Sequence, residues 1–330
     1  MPSSGITCPP PYRAPGWLPG GQAQTLWPLA IKPPLPRYRR ERWTTPDGDF
    51  VDLDRIDGPT TAPLLVLFHG LEGSARSHYA ISLAHAARAA GWRFVLPHFR
   101  GCSGELNRLP RAYHSGDSEE IDWILRRLHD EAGSAPLFAA GVSLGANALL
   151  KWAGEHGNAA HEVVAAVAGV SAPLDLAACG HHLANGFNRI YTKHFLGTLK
   201  AISEQRLKHF PDLFDPQRMR AASNLYQFDD AVTAPMHGFD GADDYWRRAS
   251  GKPWLKDIRV PTLVLNARND PFLPARHLPM AHEVSAAVTL EQPSDGGHVG
   301  FVSGPFPGRL DWLPQRLLHF FDSQPTQEQP

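Results

Sequence analysis

The apolar positions divide most of this chain into alternating strands and helices. Leu64–His69 is a continuous apolar run ending in a histidine, as expected of a central strand buried on both faces. Arg93–Pro97, Pro136–Val142, Val163–Val170, Pro261–Asn266 and Ala287–Glu291 read as further strands. Between them, Tyr79–Ala90 is alanine-rich and helical, and Ala146–Glu155 is a second helix. Ser118–His129 sets Ile121, Ile124, Leu125 and Leu128 at a helical period, with Asp117 or Ser118 able to cap its start. Arg309–Phe321 closes the chain as an amphipathic helix. Ahead of these, Glu41–Thr45 and Phe50–Asp54 flank the turn signal Pro46-Asp47-Gly48-Asp49 and read as a hairpin. Apolar strands alternating with helices predict an α/β fold, a mostly parallel sheet covered on both faces.

Two stretches break this rhythm. Residues 172–253 hold no good strand and much helical, aromatic text, including Phe195, Phe214, Tyr226, Phe228, Tyr245 and Trp246. They read as a helical cap inserted between two strands. Residues 1–40 are rich in Pro and Gly and carry Trp17 and Trp27, which predicts an irregular arm packed on the body by its tryptophans. The expected plan is therefore an arm (1–40), a core in two pieces (41–171 and 254–322), the cap (172–253) and a frayed polar tail (323–330).

Composition narrows the function. The chain has 330 residues, 42% hydrophobic and 20% charged, with a formal net charge of −1. That is enough for one large core, and no global field draws it to nucleic acid or an anionic membrane. The longest apolar run, Val163–Ala172, is about half of the ~20 residues a transmembrane helix needs. Cys8, Cys102 and Cys179 are too sparse for a disulfide framework, and the start lacks a signal-peptide pattern. A soluble, cytoplasmic protein is expected. His181-His182 beside Cys179 does not make a metal site, because adjacent histidines face different ways. No nucleotide-binding glycine loop follows a strand, so no cofactor is expected. The acidic residues Asp117, Glu119, Glu120 and Asp122 read as a helix N-terminus with favourable dipole interactions.

The chemistry gathers around Gly141-Val142-Ser143-Leu144-Gly145. This G-x-S-x-G follows an apolar strand and opens a helix, the setting that exposes a serine Oγ on a strained turn. A serine hydroxyl needs a base, and in this architecture the partners follow in the order Ser, acid, His. His298, in the loop Asp295-Gly296-Gly297-His298-Val299-Gly300 after the last strand, is the candidate base. Asp270 follows the preceding strand in a turn closed by Pro271 and is the candidate acid, with Asp175 and Asp295 as competitors. Two backbone N–H groups should hold an oxyanion: that of Leu144, after the serine, and that of Leu71 in the loop His69-Gly70-Leu71-Glu72-Gly73-Ser74. The His69 side chain reads as structural.

With these residues placed, the chain resembles the α/β-hydrolase superfamily, and within it the YheT-like family of esterases. The stretches 17–25, 45–50, 69–74, 99–104 and 113–116 carry the resemblance, together with Gly141–Gly145, Asn269–Phe272 and Gly296–Phe301. It covers about Gly16 to Phe321. The resemblance implies the same Ser143, Asp270 and His298, and activity on small-molecule acyl esters of short or medium chain. Some relatives are credited with acyl transfer to alcohols, which leaves an acyltransferase as the rival enzyme. A catalytically silent binding protein is the rival of another class. No N-terminal anchor like that of the eukaryotic relatives is expected. Where some α/β-hydrolases carry H-x-x-x-x-D, His114 here is followed by Glu119.

Overall fold

The computed structural model describes residues 6–31 and 33–324. Eight strands form one sheet: β1 (Arg39–Thr44), β2 (Phe50–Ile56), β3 (Leu64–Phe68), β4 (Arg93–Pro97), β5 (Leu137–Val142), β6 (Ala166–Val170), β7 (Thr262–Leu265) and β8 (Val288–Glu291). Their spatial order is β1-β2-β4-β3-β5-β6-β7-β8. β2 is antiparallel to both of its neighbours, and the other strands run parallel.

The period of two along β3 explains the layers. Leu64, Val66 and Phe68 face one core with α3 (Ser118–Ala132) and α4 (Leu144–His156). Leu65 and Leu67 face the other core with α2 (His78–Ala89) and α11 (Trp312–Asp322). Between β6 and β7 the chain is helical: α5 (Leu176–Leu183), α6 (Arg189–His209), α7 (Pro216–Ala221), α8 (Leu225–Phe228), α9 (Ala234–His237) and α10 (Ala242–Ala249). A single π turn, Asp229–Thr233, joins α8 to α9. No helix among the described residues is long and apolar enough to cross a membrane.

Register places one edge of the sheet at the chemistry. Phe68 pairs with Gly141, Val142 with Val170, Val170 with Leu265, and Leu265 with Glu291. The loops after β3, β5, β6, β7 and β8 therefore leave from one edge, the carboxyl ends where open parallel sheets bind ligands.

The arm is less irregular than expected. It contains a short helix, α1 (Gly21–Leu26). Trp17 Nε1–H donates to Gly304 O at 3.0 Å and Trp27 Nε1–H to Pro307 O at 2.8 Å, with both rings against Phe306. Residues 1–5 and Lys32 of the arm, and 325–330 of the expected tail, lie outside the described residues. Ser323 and Gln324 still bond the last turn of α11.

The acidic run at 117–122 departs from its reading as a simple helix start. Asp117 makes no cap and pairs with Arg111 at 2.7 Å. Glu120 is buried and pairs at 2.5 Å with the buried Arg100, which also meets Asp47 and Asp49. Burial raises the Glu120 carboxyl. The helical period hides this, because Glu120 shares the inward face with Ile121 and Ile124.

Candidate active site

Ser143 sits between β5 and α4 with φ 53° and ψ −120°, a conformation costing about 1–3 kcal/mol in a residue with a Cβ. Its N–H donates to Val170 O at 2.8 Å, fastening the turn to the next strand. The flanking glycines are needed for space. A Cβ on Gly145 would stand 2.4 Å from His69 O, and one on Gly141 would stand 2.6 Å from Ala146 Cα. The close crossing of β3, β5 and α4 thus accounts for the spacing of the motif.

His298 lies in the loop after β8. Its Nε2 is 2.9 Å from Ser143 Oγ, and its Nδ1 is 2.9 Å from Asp270 Oδ2. A carboxylate can only accept, so Nδ1 carries the proton and Nε2 is left to accept from the serine hydroxyl. The Asp270 side chain is 1% exposed, and its Oδ1 accepts the Phe272 N–H at 2.8 Å. The Phe272 ring stacks on the imidazole, centroids 3.7 Å apart at 11°. The competing acids are engaged elsewhere. Asp175 caps α5 through Ala178 N–H and lies 3.4 Å from His277. Asp295 accepts from Asn269 Nδ2 at 3.2 Å and shapes the histidine loop.

Several residues to which the sequence reading gave no role hold that loop. Gln24, fully buried, accepts the Gly296 N–H at 2.8 Å and Asn269 Nδ2–H at 2.9 Å, and donates to Leu18 O at 3.0 Å. Thr25 Oγ1 accepts the His298 N–H at 2.8 Å and donates to Gly21 O at 2.7 Å. Asn269 Oδ1 accepts the Gly297 N–H at 2.9 Å, and Ser171 Oγ accepts the Val299 N–H at 3.1 Å. A Cβ on Gly21 would stand 1.9 Å from Asn269 O, so the arm docks without clearance. The stretch 17–25 was a signal: its motif character had no local cause, such as a long helix or a turn.

The loop after β3 passes beside the serine, where a Cβ on Gly70 would stand 3.1 Å from Ser143 Cβ. Gly70 N–H donates to Tyr79 Oη at 2.9 Å, Glu72 N–H to Tyr113 Oη at 3.0 Å and Gly73 N–H to Gly70 O at 2.9 Å. The Leu71 N–H has no acceptor among the described residues. Leu144 is the first residue of α4, so its N–H has no partner inside the helix. His69 is structural in this arrangement. Its Nε2 accepts the Phe99 N–H at 3.1 Å, so Nδ1–H donates to Gly70 O at 2.7 Å, and burial lowers the imidazole to about 3.

Two spaces meet at Ser143. An inner cavity of about 130 Å³ is lined by Ser143, Leu144 and side chains of the inserted helices, among them Phe195, Phe228 and Trp246. An outer cleft of about 660 Å³ is lined by Ser143, His298 and arm residues such as Leu29 and Ile31. His114 lines the inner cavity, while Glu119, five residues on, is exposed.

Comparison with known proteins agrees with this architecture. The family model described as alpha/beta hydrolase fold matches residues 63–305. The chain is 42% identical to YheT of Escherichia coli (strain K12), over 84% of this chain and 82% of that protein. It is 30% identical to the human phospholipase ABHD3, over 92% of this chain and 76% of that protein. The solved esterase EaEST of Exiguobacterium antarcticum superposes with a TM-score of 0.54 at 18% identity, over 86% of this chain and 99% of that one. The chain belongs to the α/β hydrolase fold family and, within it, to the group that contains YheT and the ABHD3 phospholipases.

Proposed function

We propose that this protein hydrolyses carboxylic esters through Ser143, His298 and Asp270, with the Leu71 and Leu144 N–H groups holding the oxyanion. The observation that carries the reading is the hydrogen-bonded line from Asp270 Oδ2 through His298 to Ser143 Oγ, 2.9 Å at each step. His298 Nε2 takes the hydroxyl proton as Oγ attacks the acyl carbonyl. The negative oxygen that forms is met by two backbone dipoles at the N-terminus of α4 and the β3 loop. His298 then gives the proton to the leaving alcohol, and water releases the acyl group by the same steps in reverse. Asp270 fixes the tautomer and stabilises the imidazolium.

The names of the relatives support the ester linkage. Human ABHD3 is a phospholipase, and a yeast relative, 26% identical over 86% of this chain and 63% of that protein, is a monoacylglycerol lipase. In this reading, residues 172–253 are a cap over the inner cavity, and the arm is a brace for the histidine loop. An apolar cavity of about 150 Å³ takes a benzene-sized ligand, so about 130 Å³ favours short acyl groups.

The test is a chain-length series of p-nitrophenyl esters with wild type and Ser143→Ala, beside a fluorophosphonate label. Ser143→Ala should lose roughly 10⁴-fold or more in kcat, and the label should map to Ser143. Full turnover by the variant, or a label on another serine, overturns the reading.

A further inference from the structure

Arg206, on α6, is 9% exposed and lines the inner cavity with Ser143. A Cβ on Gly101 would stand 3.1 Å from its Nη2, so the guanidinium reaches the loop after β4. Among the described residues, no oxygen accepts a hydrogen bond from this side chain and no carboxylate forms an ion pair with it. Arg100, which also lines the cavity, shows the alternative, with Glu120, Asp47 and Asp49 all within ion-pair reach. A mostly buried cation is costly unless paired, so a guanidinium that borders the cavity with no carboxylate bonded to it calls for a reason.

The other ionisable groups around the cavity make no hydrogen bond or ion pair with Arg206, although the charges of Glu72 and Asp49 favour its cationic form against burial. Glu72 is turned to Tyr113, whose Oη–H donates to its Oε1 at 2.7 Å, and burial raises its carboxyl. Asp229 is occupied by Trp246 Nε1–H at 2.8 Å and Thr233 Oγ1–H at 2.7 Å, and burial raises it to about 6. His114 and His237 lie ring to ring, 4.6 Å apart, and burial lowers each to about 3.

The two spaces divide the substrate. His298, which must protonate the leaving alcohol, lines the outer cleft and not the inner cavity. Leu144 lines the inner cavity and not the outer cleft. The alcohol therefore belongs outside and the acyl chain inside, along Phe195, Leu199, Phe228 and Val232.

We infer that the acyl group ends in a carboxylate bound by Arg206, so that the substrate is a monoester of a short dicarboxylic acid. This rests on the ester-hydrolase reading. Hydrolysis breaks the acyl C–O bond. The oxygen of water joins the acyl carbon, one of its protons goes to the alcohol, the other is released to solution, and the products are alcohol and dicarboxylate. The apolar walls suit the methylenes, and the planar guanidinium fork suits the terminal carboxylate.

The test compares kcat/KM for monomethyl adipate with that for methyl hexanoate, followed by pH-stat. Wild type should favour the adipate monoester. Arg206→Met should lower that ratio roughly tenfold or more, and Arg206→Lys should restore part of it. A ratio unmoved by Arg206→Met overturns the inference. So does a preference that follows phosphate on the alcohol side, as in butanoyl glycerol phosphate against butanoyl glycerol. Calorimetry of adipate and hexanoate on Ser143→Ala needs no turnover, so it separates this inference from the hydrolase reading. Adipate should bind at least tenfold more tightly, and equal binding sinks the idea even where Arg206→Met fails to fold.

Discussion

Thr25→Val is the sharpest probe of the arm. Valine keeps the shape of threonine and removes its hydroxyl. In the protein that hydroxyl accepts the His298 N–H at 2.8 Å and donates to Gly21 O at 2.7 Å. Thr25 is 8% exposed, so water has little room to replace it. Leaving a buried N–H without a partner costs about 1–3 kcal/mol. If that cost appears as a shift of the histidine loop away from the serine, the productive population falls by roughly 5- to 150-fold. The expected signature is a fall in kcat of that order with KM nearly unchanged, because Thr25 touches the base and not the inner cavity. Steady-state kinetics on a short p-nitrophenyl ester would read it, with circular dichroism melting to show that the variant is folded. A folded Thr25→Val with kcat within twofold of wild type would refute the claim that the arm holds His298 in place.

Three further outcomes follow from the same geometry. Asp270→Asn should lower kcat by roughly 10⁴-fold, as loss of a tautomer-fixing carboxylate does, while Asp175→Asn keeps an oxygen to cap α5 and should leave kcat and stability close to wild type; the reverse ranking in kinetics moves the acid to the earlier strand. Gly145→Ala should destabilise by about 1–3 kcal/mol or more, since its Cβ would stand 2.4 Å from a backbone oxygen, and an unchanged melting temperature would contradict the packing argument. His69, His114 and His237 are each lowered to about 3 by burial, so between pH 6.5 and about 3 the unfolded chain binds protons that the folded chain refuses. Their contribution is intact above pH 6.5 and is lost as pH falls, at about 1.4 kcal/mol per group per pH unit. Urea melts from pH 7 to 4 should show this slope reduced in His114→Asn/His237→Asn, and an unchanged slope excludes the pair as its source.

The sheet was legible because its central strands are buried on both faces and so are short apolar runs, of strand length and bounded by turn residues. Ser143, Asp270 and His298 could be singled out because each lies after a strand next to turn residues: Gly141 and Gly145, Pro271, and Gly296 with Gly297. The structure puts these three side chains on one hydrogen-bonded line. What sequence hid was held by distant partners. α1 is six residues long, too short to form on its own, and Gln24 bonds Gly296, 272 positions away. Arg206 stands in a stretch with Lys200, Lys208 and His209, which locally reads as a solvated face, and only the fold turns it inward.

The backbone itself marks the site. The non-glycine residues with positive φ among the described residues are Glu72, Ser143, Ser171, Val299 and Phe301. Glu72 follows Leu71 in the β3 loop, Ser143 is the candidate nucleophile, and Val299 and Phe301 continue the histidine loop. Ser171 holds Val299 through its hydroxyl. At about 1–3 kcal/mol each, the five positions together cost on the order of 5–15 kcal/mol, the scale of a domain's whole net stability. Such strain persists only where the surroundings over-determine it, and here the restraints are identifiable. Tyr113 takes the Glu72 N–H, Val170 O takes the Ser143 N–H, and Gly296 O takes the N–H groups of Gly300 and Phe301. Gly296 is in turn fixed by Gln24 from the arm. A fold selected for stability alone would not gather its unfavourable backbone at one sheet edge, so the concentration of strain argues independently of any side chain that this edge does the chemistry.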